Sequence, residues 1–415
     1  MKSLASILLL SLATSASIYA QSTSIDGTWK GTATVKGQQV PLTLQIDGKP
    51  AKLNAALRNG PESSPATTVA LTGNHLVLTF NYFARTLDAT LENGQLTGTF
   101  GLAAPGSPRF PLTLKPAPDS KPSDDDEAAI NGDWEIAVKS AKGESAWQLR
   151  VNQPSGQPTH AVIQRIDGDT GSLFGTADPN AKTWQFSHFT AAGPALYTLA
   201  SQPDGTLLVS NLLNPDQTNL VAHRPAEARK ENLAEPTDPT QQTTVKDPAA
   251  PFRFSFPDIN GKLVSNTDPQ FEGKVVIIAI GGSWCPNCHD EAPFLESLYK
   301  RYHSRGLEIV NLSFEEADQL KDPTRLHAFI QRYGLTYTVL VAGEPEQLNE
   351  KITQAKGLNC WPTSFFLGRD GRVKEVHAGF AGPANPPAHE ELQKNVTALV
   401  EQLLSDAVPT QNASR

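Results

Sequence analysis

Hydrophobic and polar positions are spaced differently in the two halves of the chain. In residues 24–116 they alternate in short runs that end in turns: 41–48 (Pro-Leu-Thr-Leu-Gln-Ile-Asp-Gly), 75–80 (His-Leu-Val-Leu-Thr-Phe) and 87–94 (Leu-Asp-Ala-Thr-Leu-Glu-Asn-Gly). Period-two runs joined by Asp-Gly and Asn-Gly turns predict an antiparallel meander, closed as a small barrel or a sandwich. From residue 251 strand and helix patterns alternate instead. Runs at 252–256 and 262–264 flank Asn260-Gly261, a hairpin signal. An unbroken apolar run from Val275 to Ile280 predicts a strand buried on both faces. A helix to about His303 follows, then a strand at 307–314, a helix at 323–333, a strand at 336–341 and a helix at 345–355. Strands at 363–367 and 373–378, joined through Gly368-Arg369-Asp370-Gly371, and a last helix at 389–404 complete the order. That is a parallel βαβ part, an antiparallel hairpin and a covering helix.

Between these halves the first pattern returns. Gly27-Thr28-Trp29 recurs as Gly132-Asp133-Trp134, and 80–83 (Phe-Asn-Tyr-Phe) as 186–189 (Phe-Ser-His-Phe). Gly94-Gln95-Leu96 recurs as Gly205-Thr206-Leu207, and 114–117 loosely as 223–226, all at offsets of about 105 to 111 residues. A duplicated all-β unit over 24–116 and 130–226 is expected, or two halves of one larger sheet assembly. An acidic, Pro-rich stretch at 117–129 and a second Pro-rich stretch at 227–250, with a short helix at its start, read as linkers. The expected layout is multidomain: the two β units, a C-terminal α/β domain over 251–406 and a disordered tail at 407–415. Trp29 and Trp134 are expected in the β cores rather than as ligand platforms, and His75 and His188 as surface or satisfied histidines.

The bulk numbers narrow the picture. A chain of 415 residues is too long for one ordinary core. Its formal charge of −8, with no basic cluster among aromatics, argues against nucleic acid and anionic membranes as partners. Lys2, the apolar stretch at 7–13 and Ile18-Tyr19-Ala20 read as a cleaved signal peptide over 1–20, so a periplasmic or extracellular, soluble mature protein is expected. Only three cysteines are present, Cys285, Cys288 and Cys360, too few for a disulfide scaffold.

Two of the three stand where chemistry is expected. Trp284-Cys285-Pro286-Asn287-Cys288 follows the apolar strand and Gly281-Gly282, where a helix begins. Free N–H groups and the dipole at a helix start stabilise a thiolate, the form that attacks a disulfide, and a cysteine one turn on can resolve the mixed disulfide. Glu291 and Pro293 extend the pattern to Cys-x-x-Cys-x-x-Glu-x-Pro, and Trp361-Pro362-Thr363 precedes the hairpin that holds Gly371, with Gly379 after it. Over about 250–405 this set resembles the thioredoxin fold, and within it the TlpA-like family of exported thiol-disulfide oxidoreductases.

The resemblance implies Cys285 as an exposed nucleophile, Cys288 as the resolving thiol and a redox disulfide between them. It implies Glu291 as the group that tunes the cysteines and moves protons, and Pro362 as a cis-proline facing the site. Supporting roles fall to Trp284 and Trp361 beside the disulfide and to Pro293 as a helix kink. The implied partners are protein thiol or disulfide substrates and a membrane electron donor of the DsbD/CcdA type, in cytochrome maturation or envelope redox repair. The dipeptide Pro286-Asn287 departs from the Gly-Pro of thioredoxin, which leaves the redox potential open. Cys360 reads either as a third redox thiol or as a buried structural one.

Other readings compete. Cys285 to His289 also matches the Cys-x-x-Cys-His haem attachment motif, but Met1 is the only methionine, so the mature chain lacks the usual distal ligand. No haem, metal or other cofactor is expected. A zinc site lacks a second cysteine pair. A peroxiredoxin-like peroxidase needs a Thr-x-x-Cys motif that Trp284-Cys285 does not supply. A binding or scaffold protein, its β units docking a partner and its redox domain acting as a sensor, belongs to a different class.

Overall fold

A computed structural model describes residues 25–49, 52–118, 130–152, 158–178 and 182–407. The expected signal peptide, most of the acidic stretch at 117–129 and nearly all of the tail lie outside them. No helix among the described residues is long and apolar enough to cross a membrane.

The N-terminal half is two nine-stranded sheets, each with a near-consecutive strand order. In the first, Gly27–Val35 pairs with both Gln38–Lys49 and the last strand, Arg109–Pro116. The ring closes through residues 62–72. Their first half pairs with Lys52–Asn59 and their second half with His75–Phe80. The handover is at Ala66 and Thr67, whose N–H groups donate to Ala55 O (2.8 Å) and Thr79 O (2.6 Å). In the second sheet, Gly132–Ala137 pairs with Ala146–Asn152 and Leu220–His223, and a further pairing of Ala146–Asn152 with Thr159–Arg165 closes the ring. Both are therefore antiparallel barrels. Alternation fills them: Leu42, Leu44 and Ile46 point inward in the first, and Leu149 and Val151 in the second. Trp29 and Trp134 are core residues, buried in equivalent places. The indole of Trp29 donates to Ile25 O (2.9 Å) and that of Trp134 to Ile130 O (2.8 Å).

The C-terminal sheet has five strands: β1 Val275–Gly281, β2 Leu307–Phe314, β3 Thr338–Gly343, β4 Thr363–Leu367 and β5 Val373–Ala378, in spatial order β3-β2-β1-β4-β5. β1, β2 and β3 run parallel, β4 runs antiparallel to β1, and β5 runs antiparallel to β4. Every residue of β1 and β2 is buried, which is why β1 is a continuous apolar run, while β2 buries Glu308, Asn311 and Ser313 among its apolar residues. Helices α1 Pro286–Tyr302, α2 Thr324–Tyr333 and α3 Pro386–Ser405 contribute Leu295, Leu326 and Val400 to a core on one face of the sheet. The predicted helix at 345–355 is shorter, a 3-10 turn at Pro345–Gln347 and Leu348–Lys351.

The stretch read as a second linker, 227–250, is packed. It carries a helical turn at Pro239–Gln242 and a strand at Thr244–Val245 that pairs with Ala355–Lys356. Gln242 donates to Lys142 O (2.8 Å) and to Asn359 Oδ1 (2.9 Å), tying barrel two to the α/β domain.

Candidate active site

The turn between β1 and α1 is shaped by close approach. A Cβ on Gly282 would lie 2.3 Å from Trp284 Nε1 and 2.5 Å from Phe314 O, so only glycine fits. Trp284 Nε1 itself donates to Phe314 O (2.9 Å). Behind the turn is a buried ionic network. Ser283 donates through N (2.8 Å) and Oγ (2.6 Å) to Glu315, and Arg325 donates to Ser283 Oγ (2.7 Å) and Glu315 Oε2 (2.8 Å). Glu316 accepts a further bond from Arg325. Both buried charges are thus paired, which is the condition for burying them without a large cost. No local pattern in the sequence marks this network.

Cys285 is the N-cap of α1. Its Sγ accepts from Cys288 N (3.3 Å), an N–H of the first helical turn that also donates to Cys285 O (3.1 Å). The same sulfur donates to Trp361 O (3.6 Å), the carbonyl of the Trp361–Pro362 bond, which is cis. Trp361 meets Trp284 edge-on at 5.3 Å. Cys288 lies one turn deeper, where burial and the neighbouring Cys285 sulfur raise its thiol well above the ordinary value. Glu291 is buried and accepts from Ser364 Oγ (2.8 Å) on β4. Burial pushes its carboxyl up to about 7, against the lowering effect of that hydroxyl. The structure thus brings Cys285, Cys288, Trp284, Trp361 and Pro362 to one turn, with Glu291 behind it. Pro293 lies inside α1, where it removes one N–H from the helix ladder.

Two expectations are corrected. Cys285 is not exposed: only 3 % of its surface reaches solvent. The cause is that both barrels lie over the active-site face. Asn287 Nδ2 donates to Asp167 O (2.8 Å), Gly168 bridges to Phe380, and Gly382 N donates to Asp169 Oδ2 (2.8 Å), all on barrel two. From barrel one, Phe83 stacks on His289 at 4.1 Å and Tyr82 lies under the Arg332 guanidinium, also at 4.1 Å. His188 is not a surface histidine and is only partly satisfied, bonded to the Ser172 backbone. Its Nδ1 is buried without a hydrogen-bond partner among the described residues, and burial lowers the imidazole to about 4. His75, by contrast, is a surface residue bonded to Asp88 (2.8 Å).

His289 is held at both nitrogens, by Ser283 O (2.8 Å) and the Tyr333 hydroxyl (3.0 Å), and burial lowers it to about 3. Neither nitrogen is free to face a ligand. Cys360 is fully buried beside Ile166 and Ala378, and burial pushes its thiol up to about 12, the behaviour of a packed thiol rather than a reactive one. Among the described residues no cluster of His, Cys, Asp or Glu is arranged to hold a metal ion. Between the barrels and the cysteine turn is a cavity of about 700 Å³, lined by Cys285, Trp284 and Trp361 on one side and by residues of both barrels on the other.

Residues 244–392 match the Redoxin family model. The chain is similar to the thiol-disulfide oxidoreductase ResA of Bacillus thuringiensis subsp. konkukian, 32 % identical over 144 residues that cover 35 % of this chain and 75 % of the relative. It is similar to ResA of another Bacillus thuringiensis strain at 32 % over 126 residues, which are 30 % of this chain and 66 % of that relative, just under two thirds of its length. Among solved structures it is similar to a thioredoxin-family thiol:disulfide interchange protein of Chlorobium tepidum (25 % identity, TM-score 0.30, covering 38 % of this chain and 98 % of that one). StoA of Bacillus subtilis is another such structure (22 %, TM-score 0.26, covering 35 % and 97 %). Through its C-terminal domain the chain belongs to the ResA/TlpA-like family of thiol-disulfide oxidoreductases.

Proposed function

We propose that the protein is an exported thiol-disulfide reductase that works by dithiol–disulfide exchange. One observation supports this above the others. Cys285 caps a helix, accepts the Cys288 N–H and faces the Trp361 carbonyl, while the second thiol waits one turn deeper. Cys285 attacks a substrate disulfide and Cys288 then displaces the reduced product, leaving a Cys285–Cys288 disulfide. Cys288 is a reluctant thiolate where it is buried, so it needs a nearby proton acceptor. Glu291, with a carboxyl near 7, is the acceptor matched to that task. Trp284, Trp361 and Pro362 form the wall against which the substrate lies, and a membrane electron donor of the DsbD/CcdA type restores the dithiol.

The test is single-turnover reduction of a disulfide by the dithiol form. Cys285→Ser should abolish it, and full activity in that variant would sink the reading. The direction is checked by the potential of the pair: near −270 mV it is a reductase, near −120 mV an oxidant.

A further inference from the structure

The cavity over Cys285 is more than a by-product of domain packing. Its volume of about 700 Å³ lies within the roughly 300–1,000 Å³ of small-molecule sites. Folded-protein partners need a broad open face of about 1,000 Å² or more, and here both barrels cover that face and leave Cys285 only 3 % exposed.

The lining is polar and only partly satisfied. Lys142 and Asp167 pair with each other at 2.6 Å. Arg85 of barrel one and Arg332 of α2 also line the cavity, yet among the described residues neither forms a salt bridge. Their guanidinium groups lie over rings instead, Arg85 over Phe100 (5.7 Å) and Arg332 over Tyr82 (4.1 Å). The Tyr333 hydroxyl also bonds Arg332, and the remaining N–H groups of both guanidinium forks can take a carboxylate. Two more nitrogens in the lining, His188 Nδ1 and Arg165 Nε, are buried with no hydrogen-bond partner among the described residues, Arg165 Nε having only the ion pair to Asp167 at 3.9 Å. Buried polar atoms without a protein partner are positions at which a bound molecule or water can bond.

Most acids of the lining have partners of their own: Asp167 pairs with Lys142, Glu62 accepts from Ser172, and Asp169 accepts from the N–H groups of Gly171 and Gly382. Burial raises the carboxyl of Asp290 well above its ordinary value, helped by Asp169 and Glu62, and burial raises Asp169 too. Burial also lowers Arg85, but arginine keeps its charge in proteins.

We propose that this cavity is a substrate chamber for a low-molecular-weight peptidic disulfide bearing carboxylates, which Arg85 and Arg332 receive while the sulfur pair faces Cys285. The step balances within the protein and this substrate. Cys285 gives its proton to solvent, attacks one substrate sulfur and forms a mixed disulfide, and the first half leaves as a thiol. Cys288 gives its proton to Glu291, attacks the Cys285 sulfur and releases the second thiol. The substrate gains two electrons and the cysteine pair loses them.

The inference rests on Cys285 being the attacking sulfur, so the experiment separates the two. Pre-reduced full-length protein is mixed in single turnover with oxidised glutathione, which carries carboxylates, with cystamine, which carries none, and with insulin. The readout is the ratio of the glutathione rate to the cystamine rate. Arg85→Ala and Arg332→Ala should each lower that ratio about tenfold, the worth of roughly 1.4 kcal/mol. Arg85→Lys, which keeps the charge, should retain most of it and shows that the fold survives. A ratio that neither substitution moves overturns the chamber. So does insulin outpacing oxidised glutathione. If only insulin reacts, the chamber fails and the oxidoreductase reading stands; if nothing reacts, both fail.

Discussion

The two barrels share a topology and differ in how they hold the redox domain. Inside, they match: Trp29 and Trp134 occupy the same strand position and donate to a carbonyl four residues back. Outside, they diverge. Barrel one leans on the redox domain with rings, Phe83 on His289 and Tyr82 under Arg332. Barrel two is attached by directed bonds, three of them over the site from one turn: Asp167 O to Asn287, Gly168 to Phe380 and Asp169 to Gly382 N, besides Lys142 O to Gln242 and Arg150 to Asn385. Ring contacts tolerate small displacements, whereas hydrogen-bonded backbone fixes a register. Positions that recur between the barrels are thus those the core demands. At the matched positions that reach the cavity, Tyr82 and His188, the side chains have become different.

The largest effects should come from the shared interior. Trp29→Ala and Trp134→Ala should each destabilise their barrel by about 3–5 kcal/mol, read from urea unfolding. Similar costs sharpen the equivalence; a cheap substitution at one of them breaks it. The attachments should separate the barrels next. Gly168 has φ +129°, and an added Cβ would lie 2.4 Å from Asn287 Nδ2 and 2.6 Å from Phe380 O. Gly168→Val therefore forces that turn off the redox domain. Iodoacetamide labelling of Cys285, followed by peptide mass spectrometry, should speed up by about tenfold, a shift of roughly 1.4 kcal/mol towards the open arrangement. Phe83→Ala, which removes a ring contact worth about 0.5–1.5 kcal/mol, should raise labelling less. The reverse order would show that barrel one carries the attachment.

What was legible in the sequence was local. The cysteine pair, Glu291 and Trp361-Pro362 were visible because strand, turn and helix patterns around them are short-range, and the hairpin after them has its own turn signal. The recurrence of Trp29 as Trp134 pointed to twin β units, and alternation marked their strands. Long-range contacts were not visible. Ser283 meets Glu315 and Arg325 across 32 and 42 residues, and Asn287 meets Asp167 across 120. Nothing in the spacing of polar residues says that a turn at 167–169 will cover a cysteine so far along the chain. For the same reason Cys285 was expected to be exposed. A lone histidine in an alternating strand is ordinarily solvated, whereas His188 is buried by contacts that its own spacing does not show. The stretch 227–250 looked like a linker by composition, yet its backbone pairs with Ala355–Lys356.

The last difference is in the pH dependence, where each barrel covers one histidine. Burial holds His289, under barrel one, down to about 3 and His188, of barrel two, down to about 4, each from an ordinary 6.5. Below pH 6.5 the unfolded chain binds a proton at each site and the folded chain does not. The stability each neutral ring contributes is therefore complete above pH 6.5 and falls as pH drops towards those lower values. Glu291 has the opposite sign. Its carboxyl is raised from 4.5 to about 7, so the folded chain keeps a proton that the unfolded chain has released, and stability falls as pH rises from 4.5 to 7. Urea midpoints across pH 4.5–6.5 separate the three. His289→Gln and His188→Gln should each remove acid lability equivalent to about one proton, and Glu291→Gln should remove about one proton of the opposite dependence. If His188→Gln flattens the profile and His289→Gln does not, the ring contacts of barrel one admit water where the bonded turn of barrel two excludes it.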